Sequence, residues 1–338
     1  MKLHIVSGKG GTGKTTVAAA LALALAREGR NILLTEVEGR QGIAQLFDTP
    51  PLPYEERRVA TGLGGDGAGS PGSGSPGSPN AGSGGSVYAL AVDPEAALIE
   101  YLEMFYNLRR AGAALNKLGA IDFATTIAPG LRDVLLTGKV MEAATRERRG
   151  GGRIYDAVVL DAPPTGRIAR FLNVNSEVAG LARMGPVRQQ ADSVMNLIRS
   201  RKTAVHLVTL LEEMPVQETT DAVTELSDVN LPVGAVIVNM VREPLLPADR
   251  LAQIAAGDID TGALATGLKR AGLEVTDVQL AALAGEAADH AERVLLEQRE
   301  RTLLQQLGTP LVELPLLAGP DLAGLYELAG TLQKAGLG

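Results

Sequence analysis

The chain has 338 residues, 45% hydrophobic and 21% charged, with a formal net charge of −7 and no cysteine. That length can bury one large core or two modest ones. The absence of thiols excludes disulfides, thiolate zinc sites and iron–sulfur ligation by its own residues, and the acidic balance argues against nucleic acid as the main partner. No apolar run reaches the roughly 18 residues of a membrane-spanning helix. No signal-peptide pattern precedes the first strand, so a cytoplasmic location is expected.

Leu3 to Ser7 reads as a short buried strand that breaks into Gly8-Lys9-Gly10-Gly11-Thr12-Gly13-Lys14-Thr15-Thr16. An alanine-rich helix is expected from Val17 to about Arg27. Strand, glycine loop and helix in that order are the context of a phosphate-binding loop. Gly8, Gly10, Gly11 and Gly13 let backbone N–H groups of the loop, Thr12 and Thr16 included, converge on phosphate oxygens, and the helix N-terminus adds its dipole. Lys14 is placed to reach β- and γ-phosphates, and the Thr15 hydroxyl to ligate Mg²⁺. Lys9 is a second lysine that an ordinary phosphate loop does not need. It is either a solvated loop cation or an added functional charge.

Asn31 to Glu36 reads as a second strand after the Glu28-Gly29-Arg30 helix stop. The loop Val37 to Gly42 leaves its end beside the phosphate loop, where ligands collect in α/β sheets. Glu38 is therefore either a surface carboxylate or the group that orients an attacking water. Gly62 to Ser86 is rich in Gly, Ser and Pro and reads as a disordered insertion inside one domain. Val87 to Val92 resumes the sheet. Asp93 caps a helix expected from Pro94 to about Arg110, and a second is expected from about Leu131 to Arg148. Tyr101, Phe105, Tyr106 and Phe123 cluster there, as core or as a binding groove. Their exposure, with that of Met184 and Met195, discriminates the two.

Ile154 to Leu160 is a buried-type strand closing on Asp161, the Walker B pattern, whose acid holds Mg²⁺. The loop Ala162 to Arg167 is suited to sensing a γ-phosphate by ordering and release. Val178 to Ser200 reads as one helix. Strands follow at Ala204 to Leu210 and Val233 to Val238, with a loop from Glu212 to Glu218 after the first. The second ends at Asn239, where a side-chain amide could read a base. Pro247 to Leu307 is helical and charged, Leu311 to Leu314 is a last strand, and Asp321 to Lys334 a last helix. His4 and His206 read as core-strand residues.

With these motifs placed, the chain resembles the ArsA-type ATPase family, which includes the arsenite-pump ATPase and the targeting ATPase for tail-anchored membrane proteins. It looks most similar to that family's actinobacterial members. GKGGTGKTT at Gly8 to Thr16 is similar to the deviant Walker A motif, and DAPPTGRIARFL at Asp161 to Leu172 to the family's DTAPTGHTLRFL. Val238-Asn239, Leu314 to Leu317 and Pro215 to Thr219 add moderately specific matches. The resemblance implies an α/β P-loop fold, a mostly parallel sheet flanked by helices, with a helical layer near 94–148 and 173–200 inserted between strands. It implies that Lys9 is the signature lysine reaching a partner's nucleotide, that Asn239, Pro315 and Leu316 surround adenine, and that Glu38 stands where the family carries its water-activating aspartate.

The implied function is a Mg²⁺-dependent ATPase coupling hydrolysis to opening and closing of a homo- or heterodimer. Having no cysteine, the chain departs from the arsenite-activated pump and from zinc-clamped targeting members, so neither arsenite nor zinc is expected. Two alternatives stand beside this reading. One is a chaperone or targeting factor for an apolar or membrane-protein client, with ATP as a timer. The other is a positioning ATPase of the ParA/MinD type, against which the single lysine of the Leu325 to Gly338 tail argues.

Overall fold

Strands buried on both faces need an apolar residue at nearly every position, and β1 (Leu3–Gly8), β2 (Asn31–Glu36) and β5 (Ala157–Asp161) have that composition. The computed structural model describes residues 2–63, 84–106, 129–181, 186–319 and 321–338. With β3 (Arg57–Thr61), β4 (Ser86–Ala91), β6 (Thr203–Thr209), β7 (Val233–Val241) and β8 (Leu311–Pro315), these strands make one eight-stranded sheet in the order β3-β4-β2-β5-β1-β6-β7-β8. All pairings are parallel except β3 with β4. The molecule is an α/β P-loop fold.

Alternation sorts each strand's side chains between two cores. Val6, Ile32, Leu34, Val159 and Val208 face α1 (Lys14–Leu25) and the C-terminal helix Leu322–Lys334. Leu3, Ile5, Leu33, Val158 and Leu160 face the other way. That second face is covered by the helices Pro129–Thr145, Thr165–Leu181, Pro186–Ile198 and Glu213–Asp228, with Phe171, Leu172, Met195 and Ile198 buried against it. In chain order the helices are α1, α2 (Gly42–Leu46), α3 (Pro94–Tyr106), α4 (129–145), α5 (165–181), α6 (186–198), α7 (213–228), α8 (Leu251–Ala255), α9 (Thr261–Arg270), α10 (Asp277–Gln306) and α11 (322–334). Helix α1 is apolar nearly all round because it is covered all round, every residue from Val17 to Leu25 being buried.

Several local expectations change. The 212–218 segment is not a loop: α7 begins at Glu213, because Pro215 falls in a first turn, where its missing N–H is not needed. The 162–167 loop is shorter than expected, as α5 begins at Thr165. Of the expected 178–200 helix, the described residues give α5 as far as Leu181 and α6 over Pro186–Ile198. Within the region of the expected helical layer, α4, α5 and α6 pack on the sheet's second face. Strand β3 escaped notice because Arg57 and Arg58 interrupt any apolar pattern; such charges suit an antiparallel edge that must not pair further.

Residues 64–83 of the expected insertion, and Phe123, lie outside the described residues. The Gly62 N–H donates to the Gly85 carbonyl at 2.9 Å, so the chain leaves and re-enters the sheet side by side. The side chains of Tyr101, Phe105, Tyr106 and Met184 are likewise outside them, whereas Met195 is in the core. Among the described residues no helix is long and apolar enough to cross a membrane.

Candidate functional site

The C-terminal ends of β1, β2 and β5 meet at one edge, and the P-loop leaves β1 there. Gly8 has no room for a side chain, since a Cβ would lie 2.2 Å from the Val208 carbonyl oxygen. Gly13 adopts φ +84°, a left-handed conformation that starts α1 at Lys14, and a Cβ there would meet the Asn239 amide at 2.4 Å. The loop is braced from within and from outside. Thr12 Oγ1 donates to the Lys9 carbonyl at 2.9 Å, and Asn239 Nδ2 donates to the Thr12 carbonyl at 2.9 Å. Gly10 and Gly11 have open space where a side chain would stand, so the loop's outer face is bare backbone. Thr16 follows Thr15 in the first turn of α1.

Asp161 ends β5 in register between Val6 of β1 and Glu36 of β2. Its Oδ2 accepts from Thr15 Oγ1 at 2.6 Å, while Oδ1 is buried with no partner among the described residues. Burial pushes its carboxyl up to about 6, against the Thr15 hydrogen bond and the Lys14 charge, and Glu36 and Glu38 push the same way. Asp161 thus presents an orphaned buried oxygen beside the Thr15 hydroxyl, within the influence of the Lys14 charge. That donor set fits a divalent cation. Among the described residues no three His, Cys, Asp or Glu side chains cluster as a ready cage. A Mg²⁺ here would complete its shell with water and phosphate oxygens, as that ion usually does.

Glu36 was missed from the sequence and organises the loop after β2. It is 4% exposed, and its two oxygens accept from the backbone N–H of Gln41 at 2.7 Å and of Ile43 at 3.2 Å. Gln41 is held at φ 57° and its amide pairs both ways with the Leu52 backbone. The loop therefore lies over Thr15, where a Cβ on Gly42 would come within 3.1 Å of its methyl. Glu38 stands on this loop, 3.7 Å from the Arg40 guanidinium. The available signal was an acid closing a buried strand, the same pattern that marks Asp161.

Lys14 is buried at 9% exposure. Lys9 is half-buried, its ammonium 3.0 Å from Glu218 Oε1 of α7. Asn239 also lines a cavity of about 310 Å³ with Leu211, Met240, Arg242, Arg293 and Leu316, directly behind Gly13. Leu316 N–H is tied to the Val241 carbonyl at 2.8 Å. Pro315 closes β8 next to it and is not among the lining residues. Met240 at φ 58° and a register shift between Val238 and Val241 turn Asn239 towards the loop.

A bare-backbone loop, a helix N-terminus and a buried strand-end acid define a P-loop nucleotide-binding protein. The sequence matches the CobQ/CobB/MinD/ParA nucleotide binding domain over residues 3–259, and the chain belongs to that family. It is 50% identical over 338 residues to the ATPase BagA of Mycobacterium tuberculosis, covering 100% of this chain and 94% of that protein. Similarity extends to ATPase GET3 of Kluyveromyces lactis, 25% over 270 residues and 70% and 71% of the two chains. For GET3 of Candida glabrata it is 24% over 275 residues and 71% and 72%.

Proposed function

We propose that the chain is a Mg²⁺-dependent ATPase working as a homo- or heterodimer that closes on ATP and opens after hydrolysis. The observation that carries this reading is the corner at Asp161, where Thr15 satisfies one buried carboxylate oxygen and the other has no partner among the described residues. Bound Mg²⁺, held by Thr15 and Asp161, would neutralise charge on the β- and γ-phosphates. The P-loop N–H groups and Lys14 hold those phosphates. Asn239 and Leu316 border the cavity that takes the adenine. Glu38 orients a water whose oxygen bonds to the γ-phosphorus as the bond to the β–γ bridging oxygen breaks, giving ADP, phosphate and a proton. Lys9 reaches the partner's phosphates in the closed dimer and stabilises charge there. Contacts made to ATP in the closed state alone shift the open–closed balance, so hydrolysis resets it.

The test is ATP hydrolysis as a function of protein concentration, with ATP binding measured in parallel. Turnover per subunit should rise with concentration as dimers form. Lys9→Ala should keep ATP binding and lose about a hundredfold or more in turnover. Unaltered turnover in that variant would remove the lysine, and with it the reason for a dimer, from the chemistry.

A further inference from the structure

Helix α7 carries a contact that the hydrolytic reading does not use. Glu218 Oε1 pairs with Lys9 Nζ at 3.0 Å, and Glu218 Oε2 accepts from Thr165 Oγ1 at 3.2 Å. Thr165 is 2% exposed and is the first residue of α5, four positions after Asp161. One carboxylate therefore ties the extra lysine of the P-loop to the exit of the Asp161 strand. Both ends of the ion pair stay partly open to solvent, with side-chain exposures of 30% and 35%. Its neighbours on α7 are engaged within the helix: Thr219 Oγ1 donates to the Pro215 carbonyl and Gln217 Nε2 to Asp221.

We propose that Glu218 is an autoinhibitory latch, holding Lys9 on its own subunit until nucleotide and a second copy of the site draw the lysine away. This rests on the assignment of Lys9 to the partner's phosphates under "Proposed function". A lysine paired within its own chain is not free to cross an interface, so the pair must open before the closed dimer forms. Its partial exposure keeps the latch weak. An ion pair this open favours the latched arrangement by about two- to fivefold. Because each subunit must release its own lysine, the pair of latches weakens dimerisation by roughly the square, about four- to twenty-fivefold. Competing phosphate charge can overcome that bias, whereas a fully buried pair would lock the chain off. The Thr165 bond gives the latch a second hold, so release of Lys9 also frees the start of α5 beside Asp161.

The discriminating variant is Glu218→Gln, which removes the charge facing Lys9 and keeps an oxygen for Thr165. Dimer formation is read by sedimentation velocity with a non-hydrolysable ATP analogue and Mg²⁺, and turnover by phosphate release across the same concentrations. Glu218→Gln should lower the dimer dissociation constant and the half-saturating protein concentration by about four- to twenty-fivefold, with plateau turnover unchanged. A dissociation constant that stays put or rises overturns the latch. Lys9→Ala separates the two claims. If it retains full turnover, the assignment of Lys9 fails and takes the latch with it. If it loses turnover while Glu218→Gln leaves dimerisation unmoved, the latch alone fails.

Discussion

Asp161 weakens the ion-free fold, and the penalty can be measured by replacing it with asparagine. Its carboxyl rises from 3.8 to about 6, chiefly because burial disfavours the charged form. A group whose pKa is higher folded than unfolded binds more protons in the folded state, so its stabilising share is fully present below the unfolded value and is lost as pH rises through the folded one. About two pKa units correspond to about 3 kcal/mol lost by pH 7.5, against about 1 kcal/mol at pH 4.5. An asparagine in its place would still accept from Thr15, but its buried amide N–H groups would cost about 1 kcal/mol. In urea titrations with a chelator present, Asp161→Asn should therefore be more stable than the parent by about 2 kcal/mol at pH 7.5. At pH 4.5 the two should be nearly equal. A variant less stable at pH 7.5, or a difference that does not change with pH, would refute the electrostatic reasoning. Mg²⁺ with an ATP analogue should then stabilise the parent and leave the variant behind, since the charge that burial penalises is the charge that binds the ion.

Three further outcomes are expected. Glu38→Gln should bind ATP and turn it over about a hundredfold more slowly, measured by single-turnover kinetics; normal hydrolysis would move the water-orienting role elsewhere. Glu36→Gln replaces one acceptor facing Gln41 or Ile43 with a donor and should cost about 2 kcal/mol in urea unfolding, together with slower turnover as the Glu38 loop shifts. The stacked imidazoles of His4 and His206, 3.1 Å apart between Nδ1 and Nε2, are held neutral by burial at about 3 and about 4 respectively. Their stabilising share is present above the unfolded value near 6.5 and lost as pH falls towards the folded values, on the order of 4 kcal/mol for the pair between pH 7 and 5. The double variant His4→Leu with His206→Leu should flatten that dependence in pH-resolved unfolding, and an unchanged slope would place the acid sensitivity in other groups.

The chemistry-bearing corner was legible because its parts are local. A strand running into Gly8 to Thr16, and a strand closing on Asp161, each announce themselves within a dozen residues, since backbone phosphate cradles need glycine and a strand-end acid needs an apolar run before it. The same locality made the sheet's core strands readable, because strands buried on both faces are apolar at most positions. Helix starts at Thr165 and Glu213 were obscured by prolines at positions 163, 164 and 215, which suit a loop and a helix's first turn equally well. Strand β3 was invisible because an exposed edge has no apolar requirement to display.

By itself, then, the sequence determined the glycine-rich nucleotide loop, the strand-end acid beside it and an α/β sheet to carry them. Tertiary structure decided what those groups touch. Glu36 became an anchor because parallel register sets it beside Asp161 and below the loop it caps. Asn239 became a brace because a register shift in β7 turns its amide to the Thr12 carbonyl, across 227 residues of chain. Lys9, the added cation of the loop, was paired with Glu218 across a comparable span. Such contacts depend on distances between strands and helices far apart in sequence, and no local spacing encodes them.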